Sequence, residues 1–111
     1  MLFFLLFAKV GCKDRVGQEE IKIRAVNNSG SAVTRVFMFS MDFGDLQPKD
    51  SSEYKVLEYN PLKDDSLIYL FHGGTNHARY LQMPNHGAGH YTYSIDSLKN
   101  RIVYVSLLFD R

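Results

Sequence analysis

His90-Tyr-Thr-Tyr-Ser-Ile-Asp96, followed after a polar break by Arg101-Ile-Val-Tyr-Val-Ser-Leu-Leu-Phe109, is the stretch that decides the fold. In its first half Tyr91, Tyr93 and Ile95 alternate with Thr92 and Ser94, the period-two pattern of a half-buried strand. In its second half both alternating sets are largely apolar, which predicts a strand that is central or covered on both faces. Ser97-Leu-Lys-Asn100 reads as the turn between them.

The same reading extends toward the N-terminus. Glu20 to Val26 alternates Ile21 and Ile23 with Lys22 and Arg24 and predicts a first strand. Asn27-Asn-Ser-Gly-Ser31 is a turn by composition. Val33 to Met41 predicts a second strand, bent by Asp42-Phe-Gly-Asp-Leu46, and Gln47 to Ser51 is a loop or turn. Ser52 to Tyr59, Ser66 to His72 and Ala78 to Met83 predict three more strands, with Gly73-Gly-Thr-Asn-His77 as a hairpin turn. No helical period and no internal repeat is found. About seven short strands separated by regular turn signals predict an all-β, antiparallel β-sandwich of immunoglobulin-like or transthyretin-like layout.

The N-terminus is of another kind. Leu2 to Ala8 is an unbroken apolar run, followed by Gly11, the single Cys12 and a polar stretch. A membrane-spanning helix needs roughly 20 apolar residues, whereas a secretory signal core needs about 7–15. Apolar run, Gly11 and Cys12 in succession resemble a bacterial lipoprotein signal with its lipobox, although Lys9 stands where an aliphatic residue is usual. The resemblance implies lipidation at Cys12 and a membrane-anchored location in the cell envelope. Residues 1–11 are then a signal peptide, 12–19 a flexible tether and 20–111 the β-sandwich domain.

Gly11-Cys-Lys-Asp14, Asn28-Ser-Gly30, Phe43-Gly-Asp-Leu-Gln-Pro48, Ser52-Glu-Tyr54 and Gly89-His-Tyr-Thr-Tyr93 together resemble small lipid-anchored β-sandwich proteins of Bacteroidetes. That resemblance implies location and fold, and carries no catalytic motif.

Composition narrows the function classes. Thirteen Lys and Arg against twelve Asp and Glu give a net charge of +1, so no basic excess favours nucleic acid as partner. One cysteine permits no internal disulfide. Ser97, His90 and Asp96 lack the G-x-S-x-G elbow of a hydrolase nucleophile, and Asp64-Asp65 reads as loop charge. The glycines at 73–74 and 87–89 lack the strand-to-helix context of a phosphate loop. The chain therefore reads as a non-enzymatic protein with no cofactor, binding a protein or glycan partner. Tyr59, Tyr69 and Tyr80 are the candidate recognition residues, being tyrosines expected on polar faces. The alternatives are a metal site built from His72, His77, His86 and His90, since neutral imidazoles suit Zn, Cu or Ni, and a structural subunit that pairs through an edge strand.

Overall fold

The computed structural model describes residues 20–111. The signal-like segment 1–11, Cys12 and the tether 12–19 lie outside the described residues. The described chain is all-β, with no helix. Its strands are β1 (Ile21–Asn27), β2 (Val33–Met38), β3 (Met41–Leu46), β4 (Lys55–Val56), β5 (Leu67–His72), β6 (Thr75–Tyr80), β7 (Gly89–Lys99) and β8 (Ile102–Phe109).

They form one curled, mixed sheet in the order β3-β2-β5-β6-β8-β7-β1-β4. The expected all-antiparallel pairing is corrected at two places: β1 runs parallel to β7, and β6 parallel to β8. The β1–β7 ladder is continuous over seven residue pairs, from Ile21↔Gly89 to Asn27↔Ile95, so a parallel pair forms the centre of the second half. Gly89 opens β7 at φ +140, and a Cβ there would lie 2.9 Å from the Phe109 ring and 3.1 Å from the Arg111 backbone. The end of the chain therefore packs against a position that only glycine fills without displacement.

Three two-residue turns set the registers. Gly73-Gly74, Asn100-Arg101 and Phe39-Ser40 all have positive φ at both central positions, the mark of the type I′ turn whose twist matches that of the flanking strands. They close the pairs His72↔Thr75, Lys99↔Ile102 and Met38↔Met41. The hairpin turn at residues 73–77 is thus shorter than its composition suggested, and the one after β7 falls later. The third was not anticipated, and it turns the expected bend at Asp42–Leu46 into strand β3. Phe39 is a bulky residue at φ 53, a conformation that costs about 1–3 kcal/mol. Its ring is fully buried, edge-on to Tyr59 and Tyr93 at centroid distances of 5.6 and 5.8 Å. Burying a phenylalanine contributes roughly 1.5–3 kcal/mol, enough to offset the backbone strain.

The Phe39–Tyr93 contact also shows how the sheet is curled. Phe39 directly follows β2 and Tyr93 lies in β7, strands separated in the sheet by β5, β6 and β8. Both β3-β2-β5-β6 and β8-β7-β1-β4 contribute to one core that includes Val36, Met38, Ile68, Leu70, Ile23 and Ile95. In β7, Tyr91, Tyr93 and Ile95 point into that core as their alternation predicts. Thr92 and Ser94, on the other face, are buried by polar neighbours: Arg24 Nε donates to Thr92 Oγ1 at 2.9 Å and Asn28 Nδ2 to Ser94 Oγ at 2.8 Å.

One expectation fails in detail, and another holds in its first form only. Of Ser52–Tyr59 only Lys55–Val56 is strand, paired to β1. β8 is central in sheet order but is not covered on both faces: Val103 is fully buried, while Tyr104 and Leu108 are 38% and 51% exposed.

Candidate functional site

The two halves of the sheet meet at β6 and β8. There the ladder consists of a single registered pair, Ala78↔Ile102, and Ala78 N donates to Arg101 O at 3.3 Å. Every other neighbouring strand pair, β1–β4 included, has at least two registered pairs. Past Ile102 the strands part. Among the described residues no strand is registered against Val103–Phe109 on the side away from β7. A cavity of about 180 Å³ opens between Arg79–Gln82 on one wall and Tyr93, Val105 and Leu107 on the other.

The walls have defined chemistry. Leu81 is held inward by its N–H donating to Ser66 O at 2.9 Å, and Tyr93 Oη donates to Gln82 O at 2.5 Å. Burial, with the neighbouring Tyr91 as a smaller contribution, pushes the Tyr93 hydroxyl well above the ordinary tyrosine range. It stays a neutral donor throughout the physiological range. The Arg79 guanidinium lies over the Tyr104 ring at 5.2 Å and bridges the gap from outside, a cation–π contact. Tyr80 stands at the rim, 77% exposed.

Of the three tyrosines singled out from the sequence, only Tyr80 lines this opening. Tyr69 is on the outer face of β5, stacked flat on Phe37 with centroids 5.1 Å apart. Tyr59 lines a separate cleft with Phe39, Met41 and the loop around Asn60. The polar groups of that loop bond one another: Asn60 N donates to Asp64 Oδ2 at 2.9 Å and Leu62 N to Asn60 Oδ1 at 2.9 Å. Sequence reasoning missed Gln82, Tyr93, Val105 and Leu107. Alternation does place Tyr93, Val105 and Leu107 inward, but no sequence signal says that their neighbouring strand departs.

The four histidines lie toward the two ends of β8, and of them His72 and His77 meet. His72 and His77 sit on the β5–β6 hairpin, with ring centroids 5.9 Å apart. His86 stacks on Phe109 at 5.0 Å, and His90 lies edge-on to Tyr54 at 4.8 Å. His77 precedes Ala78, which pairs with Ile102 at the start of β8, whereas His90 O accepts from Asp110 N just past its end. At about 3.3 Å per residue, β8 separates His77 from His90 by roughly 23 Å. No group of three or more His, Cys, Asp or Glu capable of holding a metal occurs among the described residues.

A second polar cluster lies on the outer face of β1 and β7. Tyr54 Oη donates to Asp110 Oδ2 at 2.9 Å, Thr92 Oγ1 donates to the same oxygen, and the Arg24 guanidinium lies 4.7 Å over the Tyr54 ring. Burial raises the Tyr54 hydroxyl above its usual range, reinforced by the Asp110 carboxylate. These groups satisfy one another. No protein-family model matches the chain, and neither does any curated protein or solved structure.

Proposed function

We propose that this chain is a non-enzymatic, lipid-anchored protein of the cell envelope whose β-sandwich domain captures an extended segment of a partner protein along the free edge of β8. The observation that carries the reading is the parted β6–β8 seam. A strand edge carries a row of backbone donors and acceptors that another strand can pair with. An incoming strand would gain main-chain hydrogen bonds along Val103–Phe109 and lodge alternate side chains in the cavity above Val105 and Leu107. Tyr80, Tyr104 and Leu108 supply exposed apolar and aromatic surface around it, the residue types that dominate protein interfaces.

The two-layer, immunoglobulin-like or transthyretin-like reading is supported by the same seam, since one registered pair joins the halves. The anchor is supported by the Leu2–Ala8 run leading into Gly11-Cys12. Two acyl chains at Cys12 would hold the domain at a membrane without a spanning segment. Mass spectrometry of the native protein tests this part: an unmodified chain still beginning at Met1 removes the anchor.

Leu107→Glu tests the binding part. It puts a charge into the cavity wall at a half-buried position. Affinity for the protein recovered on the wild-type chain from native membranes is expected to fall at least tenfold. Hydrogen exchange of the Val103–Phe109 amides is expected to slow when that partner binds the wild type. Unchanged affinity in a folded Leu107→Glu variant overturns the reading, as does a partner released by free sugar or one that leaves these amides unprotected.

A further inference from the structure

The Gly73-Gly74 turn fixes the pairs His72↔Thr75 and Leu70↔His77. His77 is therefore directly across from Leu70, and His72 lies two residues beyond Leu70 on the same strand. Side chains alternate with a period of two, so both imidazoles share the face of the fully buried Leu70. They are diagonal neighbours on the inner face, at the end of the hairpin. A slip of one residue would send one of them outward, and the two-glycine turn prevents it.

The hydrogen bonds of the two rings match. His72 Nδ1 meets Ala32 O at 3.3 Å, and His77 Nδ1 meets Thr75 O at 3.1 Å. A carbonyl oxygen only accepts, so each Nδ1 carries the proton and each neutral ring presents an unprotonated Nε2. His77 is only 7% exposed, yet its Nε2 makes no hydrogen bond to a described residue. A buried imidazole nitrogen with a free lone pair is expected to have a partner. A backbone carbonyl on Nδ1 is also the usual second contact of a metal-bound histidine.

We propose that His72 and His77 form a two-imidazole site for a divalent transition metal, with water completing the coordination and Cu(II) the tightest-bound ion. With metal–nitrogen distances of about 2.0–2.1 Å each ring centre lies roughly 3.2 Å from the ion, so two rings on one ion have centres roughly 4.5–6.4 Å apart from cis to trans; these are 5.9 Å apart, within that range at a wide angle. Two nitrogen ligands without thiolate or carboxylate suit copper, nickel or zinc, and the general order of affinities puts Cu(II) first. His72 is half-buried and gives the ion access from the end of the sheet. The site is independent of the β8 edge and of the anchor.

The test is titration of the full chain with Cu(II), followed by calorimetry and electron paramagnetic resonance. One equivalent is expected to bind with nitrogen hyperfine structure from two imidazoles. His72→Gln and His77→Gln should each weaken binding at least tenfold, while His86→Gln and His90→Gln leave it unchanged. Nitrogen NMR of the metal-free chain should find the Nδ1-protonated tautomer at both positions. Should His77→Gln fail to fold, His72→Gln at its half-buried position decides alone. Undiminished binding in His72→Gln, copper carried by His86 or His90, or no binding below millimolar copper overturns the proposal.

Discussion

The curled sheet comes together at two places, and they are built differently. At one, the edge strand β3 and strand β1 approach from opposite ends of the sheet order. At the other, β6 and β8 share one registered pair and then separate. The first is closed by a side chain and a loop. Asn27 is fully buried, and its amide donates to Ser31 O at 2.7 Å and to Leu46 O at 3.0 Å. Its Oδ1 accepts from Ser29 N and Ser29 Oγ at 3.0 and 2.7 Å. The 47–52 loop adds Lys49 N to Asn27 O at 2.7 Å, Asn27 N to Asp50 O at 2.9 Å and Ser52 N to Ala25 O at 2.8 Å. Lys55 Nζ completes the join by donating to Asp42 O. The second junction has a cavity where the first has a network. The difference separates a junction held by hydrogen bonds from one held by a single registered pair, the seam at which a partner strand is proposed to bind.

Breaking the closed junction has the largest expected effect. Asn27→Ala removes four hydrogen bonds at once and leaves Leu46 O without its side-chain donor in a buried place. A buried acceptor left unsatisfied costs about 1–3 kcal/mol, so a loss of about 2–4 kcal/mol is expected by denaturant unfolding. Asn28→Ala is the matched control. Asn28 is exposed and, among the described residues, its side-chain amide reaches only Ser94 Oγ, so a loss below about 1 kcal/mol is expected. Equal losses in the two variants would mean that Asn27 is no special closure.

The open junction responds less. Tyr93→Phe deletes the one hydrogen bond that ties β7 to the Gln82 backbone across the cavity. A loss of about 1 kcal/mol is expected near neutral pH. The pH dependence identifies the group. Burial raises the folded-state pKa of Tyr93 above that of the unfolded chain, so the folded state holds its proton longer. Its stabilisation is complete below the unfolded value of about 10 and declines as pH rises above it, by up to about 1.4 kcal/mol per pH unit. The variant lacks that decline. The gap between wild type and Tyr93→Phe should therefore narrow above about pH 10. A gap that stays constant to pH 11.5 would place the hydroxyl in water instead.

This contrast between junctions bears on what the sequence makes legible. The alternation of Tyr91, Tyr93 and Ile95 states which face of β7 is buried, because burial is a property of single positions. Gly73-Gly74 announces its turn, because glycine alone reaches positive φ without cost. Phe39-Ser40 announces nothing: the strain of a bulky residue at φ 53 is offset by distant contacts with Tyr59 and Tyr93. Strand partnership is likewise non-local. Ile21–Asn27 looks the same whether its neighbour runs parallel or antiparallel, and the apolar residues of β8 look the same whether β6 covers them or turns away. Of the candidate residues, Tyr80 falls at the opening and His72 and His77 meet. Tyr59, Tyr69, His86 and His90 lie elsewhere, since proximity in sequence does not carry across hairpins that point to opposite ends.

The smallest expected effect on stability belongs to Tyr80→Ala, and it sharpens the comparison most. Tyr80 ends β6 at the mouth of the cavity with most of its surface in water. Truncating a surface side chain of this kind usually changes stability by no more than about 0.5 kcal/mol. Tyrosine at the centre of an interface commonly contributes about 2 kcal/mol or more to binding. If β6 and β8 part to admit a strand, Tyr80→Ala leaves the unfolding curve in place and weakens partner binding by roughly tenfold or more. If the opening is a packing fault with no occupant, both quantities stay at wild-type values. The two curves, measured on the same preparation, distinguish a seam that is unfinished from one that is reserved.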